Sequence, residues 1–119
     1  MAYVDGFLTP VPRRKLPEYR RLARKAGKIF REHGALEYRE CVGDDLQVQG
    51  MVSFLKTAKV RPGETVVLSW VVYRSKADRK RIMAKVMADA RLAEMSDPRN
   101  SPFDMRRMAY GGFKVLVDL

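Results

Sequence analysis

His33 is the only side chain in this sequence whose ordinary pKa lies near neutrality, which makes it the first candidate for acid–base chemistry. It stands one residue before Gly34 on the apolar stripe of a helix, a position that directs it toward a sheet or a cleft beside one. There it would serve as general base or hydrogen-bond partner. The plainer alternative is a histidine bonded to backbone at a helix C-terminus, where positive charge is favoured. A second group comprises Tyr38, Glu40, Trp70, Tyr73 and Tyr110, all on or beside strands. Rings that bury ligand area, together with hydroxyls that orient it, are what a small-molecule pocket requires. In this reading Tyr38 and Tyr110 are polar-tipped lining, Trp70 is an apolar wall, and Arg107 anchors an anion through its planar fork. The same aromatic residues would also suit a dimer core. Asp104, Arg106 and Arg107 have a plainer alternative as well, capping the turn at Phe103 and pairing across a dimer.

Other chemistries lack their residues. One cysteine and one histidine cannot supply the four N/S ligands of a structural zinc site, and a haem reading would rest on His33 alone. The Gly43-Asp44-Asp45 cluster lacks the spaced oxygens a hard cation needs and reads as a solvated turn. Cys41 has no sequence-adjacent base and reads as a buried thiol. There is no phosphate-binding Gly-rich loop, dinucleotide fingerprint or serine elbow. The expectation is therefore no metal and no cofactor.

Charge is concentrated in one place. The chain of 119 residues carries a net +10, yet residues 13–31 alone hold nine bases and one acid, leaving only +2 for the other hundred. On a helix, Arg20, Arg21, Arg24, Lys25, Lys28 and Arg31 fall opposite Tyr19, Ala23, Ala26 and Phe30, so they project to solvent. Such a face offers a polyanion salt-dependent, sequence-blind contacts. It lacks exposed aromatics for base stacking and any accompanying nucleic-acid motif, so a solvated surface helix is the preferred reading. Membrane binding is not expected, because the apolar stripe is committed to a core and no segment approaches the roughly 20 apolar residues of a span. A single cysteine and no N-terminal apolar run fit a reducing cytoplasm.

The elements that must position these residues follow from pattern. Residues 3–11 read as a strand stopped by Pro10 and Pro12, and Pro17 opens a helix of about 17 residues that Gly34 closes. Residues 36–42 alternate as a second strand, and residues 46–60 form an excursion with a short helical turn. Arg61-Pro62-Gly63 turns the chain into residues 65–73, a strand apolar on both faces and hence expected to be buried on both. Ser75 caps a second helix whose stripe runs Ile82, Met83, Val86, Met87, Ala90. Residues 97–102 read as loop, and 108–119 as a last strand in which Gly111-Gly112 marks a bulge or close backbone approach. Residues 1–119 thus make one α+β domain of order β-α-β-β-α-β, the ferredoxin-like antiparallel sheet with two helices on one face. Two helices leave the other face open, and a second copy of the chain is the simplest cover, so a homodimer is expected.

Five segments carry a further signal: Val4-Asp5-Gly6-Phe7, residues 31–38 (Arg31 to Tyr38), Glu40-Cys41-Val42-Gly43-Asp44-Asp45, Ser69-Trp70-Val71-Val72-Tyr73, and residues 102–113 from Pro102 to Phe113. In these the chain resembles the YbaA-like family of uncharacterised bacterial proteins, almost end to end. Lys80 and Met83 stand where that family usually has acidic and amide residues. The resemblance implies the dimeric α/β-barrel superfamily, related to antibiotic-biosynthesis monooxygenases, in which two ferredoxin-like sheets close face to face. Its members include cofactor-independent monooxygenases, muconolactone isomerases and haem enzymes, so the fold does not choose a reaction. Three readings stand: a small-molecule binder or cofactor-independent enzyme using a cavity between sheet and helices; a polyanion binder using the helix of residues 13–31; and a module whose only obligatory contact is with itself.

Overall fold

The computed structural model describes residues 1–95, 99 and 101–119. β1 (Tyr3–Pro12) leads through a 3-10 turn into α1 (Leu16–Glu32), then β2 (Glu37–Val42), a one-turn α2 (Phe54–Thr57) and β3 (Glu64–Tyr73). α3 (Lys76–Met87), α4 (Ala90–Met95) and β4 (Ala109–Lys114) complete the chain. The four strands pair antiparallel in the order β2-β3-β1-β4, the ferredoxin-like arrangement expected from the element order. Among the described residues no helix is long and apolar enough to cross a membrane.

Local chemistry accounts for the element ends. Pro17 sits in the first turn of α1, where its missing N–H costs nothing. At the other end Gly34 takes φ +117°, its N–H reaches the Arg31 carbonyl at 3.1 Å, and the Ala35 N–H reaches the Phe30 carbonyl at 3.0 Å. Those two bonds are the Schellman closure, and they place His33 at the helix C-cap. Ser75 caps α3 by accepting from the Asp78 N–H at 3.1 Å, and Asp104 caps the turn beside Phe103 by accepting from the Arg106 N–H at 3.0 Å.

The core divides in two. Ile29, Ala35, Val71, Tyr73, Ile82 and Val86 pack α1 and α3 onto the sheet, while Val11, Tyr19, Ala23 and Val67 form a second cluster toward the start of α1. Gly27 lets α1 pack closely over β2, since a Cβ there would lie 2.6 Å from Cδ1 of the Tyr38 ring.

Four expectations change. The second helix is two, α3 ending at Met87 and Ala90 opening α4. The last strand stops at Lys114, because β1 begins at Tyr3 and offers nothing further to pair with beyond one bond from Val115 N–H to the Ala2 carbonyl. Gly111 and Gly112 pair in unbroken register with Gly6 and Asp5, so no bulge forms; the close approach at Gly112 is by the Tyr3 ring, whose hydroxyl lies 2.5 Å from where a Cβ would stand. The strand expected to be buried on both faces is covered on one in the single chain. Within the loop expected at 97–102, Asp97, Pro98 and Asn100 lie outside the described residues.

Candidate ligand cavity

Side chains alternate across a pleated sheet, so the register assigns every strand residue to a face. One row across the four strands reads Glu40, Ser69, Phe7, Tyr110, and the next reads Tyr38, Val71, Asp5, Gly112. Val71 packs with Ile29 of α1 and Ile82 of α3, so these rows lie under the helices. The intervening rows, Arg39-Trp70-Gly6-Gly111 and Cys41-Leu68-Leu8-Ala109, face away.

Between the helix-covered face, α1, α3, α4 and the segment 102–108 lies a cleft of about 920 Å³, within the size range of small-molecule sites. Its walls are apolar: Phe7, Leu22, Ala26, Phe30, Val71, Leu92 and Phe103 contribute, and five of the chain's seven methionines (Met83, Met87, Met95, Met105, Met108) line it. Methionine is flexible and polarizable, and adapts to ligands of varied shape. A smaller depression of about 450 Å³ over residues 47–56 presents Lys56 as its only titratable side chain.

The polar part of the cleft converges on Glu40. Its Oε1 accepts from the Tyr19 hydroxyl at 2.5 Å and the Ser69 hydroxyl at 2.7 Å, and its Oε2 accepts from the Tyr38 hydroxyl at 2.5 Å. Burial, reinforced by the adjacent Glu40 carboxylate, pushes both phenols above the ordinary tyrosine range. They are therefore neutral donors at any physiological pH. A carboxylate has about four acceptor positions, so three hydroxyls leave one on Oε2 for a further donor. Thr9, on the same face, is 1% exposed, lines the cleft, and its Oγ1 has no hydrogen-bond partner among the described residues.

The expected site residues separate. Tyr38 and Arg107 line the cleft. Arg107 is already engaged, its guanidinium holding Glu64 at 2.7 and 2.8 Å and donating to the Lys59 carbonyl at 2.9 Å. That contact lowers the Glu64 pKa to about 2 and leaves Arg107 little to offer an anion by itself. His33 does not line the cleft. Its Nε2 pairs with Asp89 Oδ2 at 2.9 Å beside an Arg91 that also binds Glu32, a polar clasp between the end of α1 and the α3–α4 junction. Arg91 first, and His33 second, hold the Asp89 carboxyl well below the usual range. Trp70, at an even position of β3, lies on the open face with its Nε1 donating to Glu37 at 3.1 Å. Tyr110 is on the helix-covered face but outside the cleft, in a network centred on Asp5. That carboxylate is fully buried, accepts from Tyr73 at 2.8 Å and from Tyr110 at 3.2 Å, and meets Arg79 Nη2 at 2.9 Å. Arg79 donates to the Tyr110 hydroxyl at 2.6 Å and lies over the Tyr3 ring, tying α3 to β1 and β4.

The basic face of α1 is solvent-exposed as expected. Arg20, Arg21, Arg24, Lys25 and Lys28 form no ion pair among the described residues, while Arg31 is spent on the carbonyls of Ala35 and Leu36.

Comparison with known proteins places this geometry in context. Residues 2–105 match the family described as "Protein of unknown function (DUF1428)". The uncharacterized protein YbaA of Escherichia coli K12 is 41% identical over 118 residues, 99% of either chain, and the Shigella flexneri protein of that name matches equally. Among solved structures, SnoaB, a cofactor-independent oxygenase from Streptomyces nogalater, superposes with a TM-score of 0.61 at 11% identity, covering 99% of this chain and 96% of that one. A NIPSNAP family protein of unknown function from Agrobacterium tumefaciens gives 0.58 at 14%, covering 96% and 87%. These two likenesses concern the fold.

Proposed function

Because this chain belongs to the DUF1428 family, the family of YbaA, we propose a function from its own geometry: it binds a small, largely apolar molecule in the cleft, oriented by hydrogen bonds to Glu40, Tyr38 and Thr9. The observation that carries this reading is Thr9 Oγ1, a buried hydroxyl on the wall of an apolar cavity that has no partner among the described residues. Such an atom costs about 1–3 kcal/mol unless something bonds it, and a ligand hydroxyl or carbonyl would do so. Where binding leads to chemistry, Glu40 is the residue placed to take a proton from the ligand, with the Tyr38 hydroxyl donating to Glu40 and its oxygen left to accept. His33 holds the helix clasp in this account. The fold serves a cofactor-independent oxygenase elsewhere, so an enzyme without a cofactor is compatible with it, but fold alone assigns no reaction.

The test is equilibrium binding of 1-naphthol and naphthalene by fluorescence titration. The native protein should prefer the naphthol, and Thr9→Val should reduce that preference up to about tenfold. Thr9→Val should also leave the free protein as stable or more so, because a group without a partner is replaced by one of the same shape. An unchanged preference, or a destabilisation above about 1 kcal/mol, would remove the central support.

Two observations favour further contacts. The exposed cations of α1, without ion pairs among the described residues, support a polyanion partner, and binding to generic RNA and DNA at about 50 and 200 mM salt should then fall steeply; a flat response removes that reading. The open sheet face carries Leu68 at 42% and Phe113 at 62% exposure beside Val4, Leu8, Trp70 and Val72. It supports a homodimer through that face, in the reducing cytoplasm that a lone Cys41 suits.

A further inference from the structure

The cleft is apolar along its walls, but its mouth is not. Lys15, Arg61, Arg106 and Arg107 line it together with Glu64 and Asp104. Glu64 is held by Arg107 and Asp104 by Arg106, so at the mouth the two carboxylates are matched and two cations remain, while the third carboxylate of the cleft, Glu40, lies on the inner wall bonded by three hydroxyls. Neither Lys15 nor Arg61 forms an ion pair among the described residues. The two segments that carry them are joined, since the Arg13 N–H donates to the Gly63 carbonyl at 2.9 Å.

A second observation points the same way. Lys15 is the N-cap of α1 and follows Arg13 and Arg14 in the preceding turn. The start of a helix carries partial positive charge and is stabilised by anions. Here the sequence places three cations there, against Glu18 as the only acid of the first turn. Among the described residues none of the three forms an ion pair, and Lys15 stands at the opening of an apolar cavity whose inner wall holds the Thr9 hydroxyl, unpartnered among those residues. About three strand residues, roughly 10 Å, separate Thr9 from Pro12 at the mouth, and the long side chains of Lys15 and Arg61 can reach inward across part of that span.

We propose that the cleft selects an organic acid: an apolar body seated among the methionines, with one oxyanion held at the mouth by Lys15 and Arg61. The proposal rests on the cleft being a binding site and specifies the charge of its ligand. Arg107 does not hold the anion alone, since Glu64 occupies its fork. Its part is to keep Glu64 paired, so that a carboxylate at the mouth does not repel the ligand.

Two fluorescent probes test this, 8-anilinonaphthalene-1-sulfonate and N-phenyl-1-naphthylamine, which share an apolar body and differ in the sulfonate. Both are titrated into the native protein, into Lys15→Gln/Arg61→Gln, and into Ala26→Trp, which fills the cavity. The proposal expects the double substitution to weaken the sulfonate about tenfold while moving the neutral probe less than twofold, with the difference shrinking at high salt. Ala26→Trp should weaken both. Equal effects of the double substitution on the two probes, or none on either, would overturn the anion assignment while leaving the cavity reading intact. Undiminished binding of both probes by a folded Ala26→Trp variant, judged by circular dichroism, would overturn the cavity reading itself.

Discussion

Two buried phenols and one half-buried should make this protein fail at alkaline pH, by an amount that follows from their environments. Tyr19, Tyr38 and Tyr73 all have their pKa raised above the ordinary tyrosine value, chiefly by burial and next by a neighbouring carboxylate, Glu40 for the first two and Asp5 for the third. A group whose pKa is raised on folding contributes its full stabilisation below the unfolded value, near pH 10, and loses it as the pH climbs toward the folded value. One unit above the unfolded pKa, each phenol that the fold keeps neutral withdraws about 1.4 kcal/mol, so the three together withdraw about 4 kcal/mol by pH 11. That is a large part of the 5–15 kcal/mol typical of a domain. Tyr110 shifts in the same direction but is nearly half exposed, and adds less. Urea unfolding followed by circular dichroism between pH 8 and 11 should show a stability that is flat to about pH 9.5 and then falls. Absorbance at 295 nm should show three of the five tyrosines ionising only together with unfolding. Tyr73→Phe should flatten the fall by about 1.4 kcal/mol per pH unit. Titration of all five tyrosines with a midpoint near 10 in protein that remains folded would mean that the fold does not hold these phenols neutral.

Asp5→Asn should cost about 3–5 kcal/mol, because it removes the fully buried charge that Arg79 and two phenols share; calorimetry should show the melting point falling by roughly 10–20 °C, and a loss below about 1 kcal/mol would mean the pair is solvent-screened. Gly27→Ala gains about 1 kcal/mol of helix propensity but drives a methyl into the Tyr38 ring. The expected net is destabilisation with weaker naphthol binding, and a stabilised variant with native binding would contradict the close contact. Phe113→Lys, on the open face of edge strand β4, should turn a dimer into a monomer by light scattering at micromolar concentration; a native protein that is already monomeric there would contradict the homodimer.

The fold was legible because its signals are local. Pro17 and Gly34 bracket α1, Ser75 caps α3, and the alternation through Tyr38, Glu40 and Val42 marks β2 and already puts Tyr38 and Glu40 on one face. Partners distant in sequence were not legible. Asp5 and Arg79 lie 74 residues apart, and nothing in the short run Val4-Asp5-Gly6-Phe7 announces that its carboxylate is buried. Arg107 could be seen beside Asp104 but not across 43 residues from Glu64, which claims it. Trp70 illustrates how one step of strand parity decides a role: Ser69 and Val71 line the cleft, and Trp70 between them faces away. Parity was the signal available for it, once Val71 was known to face α1. His33 was placed correctly at the end of its helix, but the C-cap turns it to Asp89 and not into the cavity. Thr9 read only as a strand former, since a hydroxyl without a partner can be recognised only when its surroundings are known. Residues 115–119, apolar but for Asp118, read as strand on composition, yet pairing requires a neighbour and β1 has none left to give.

The most direct test of the central claim is a map of backbone amide shifts on titration with 1-naphthol. The largest changes should fall at Thr9, Phe30, Tyr38, Glu40 and Ser69, with the open-face residues Val4, Leu68 and Trp70 and the outer face of α1 at Arg24 and Lys28 left unmoved. Changes centred on the open face or on the basic helix, with Thr9 and Glu40 silent, would contradict that claim.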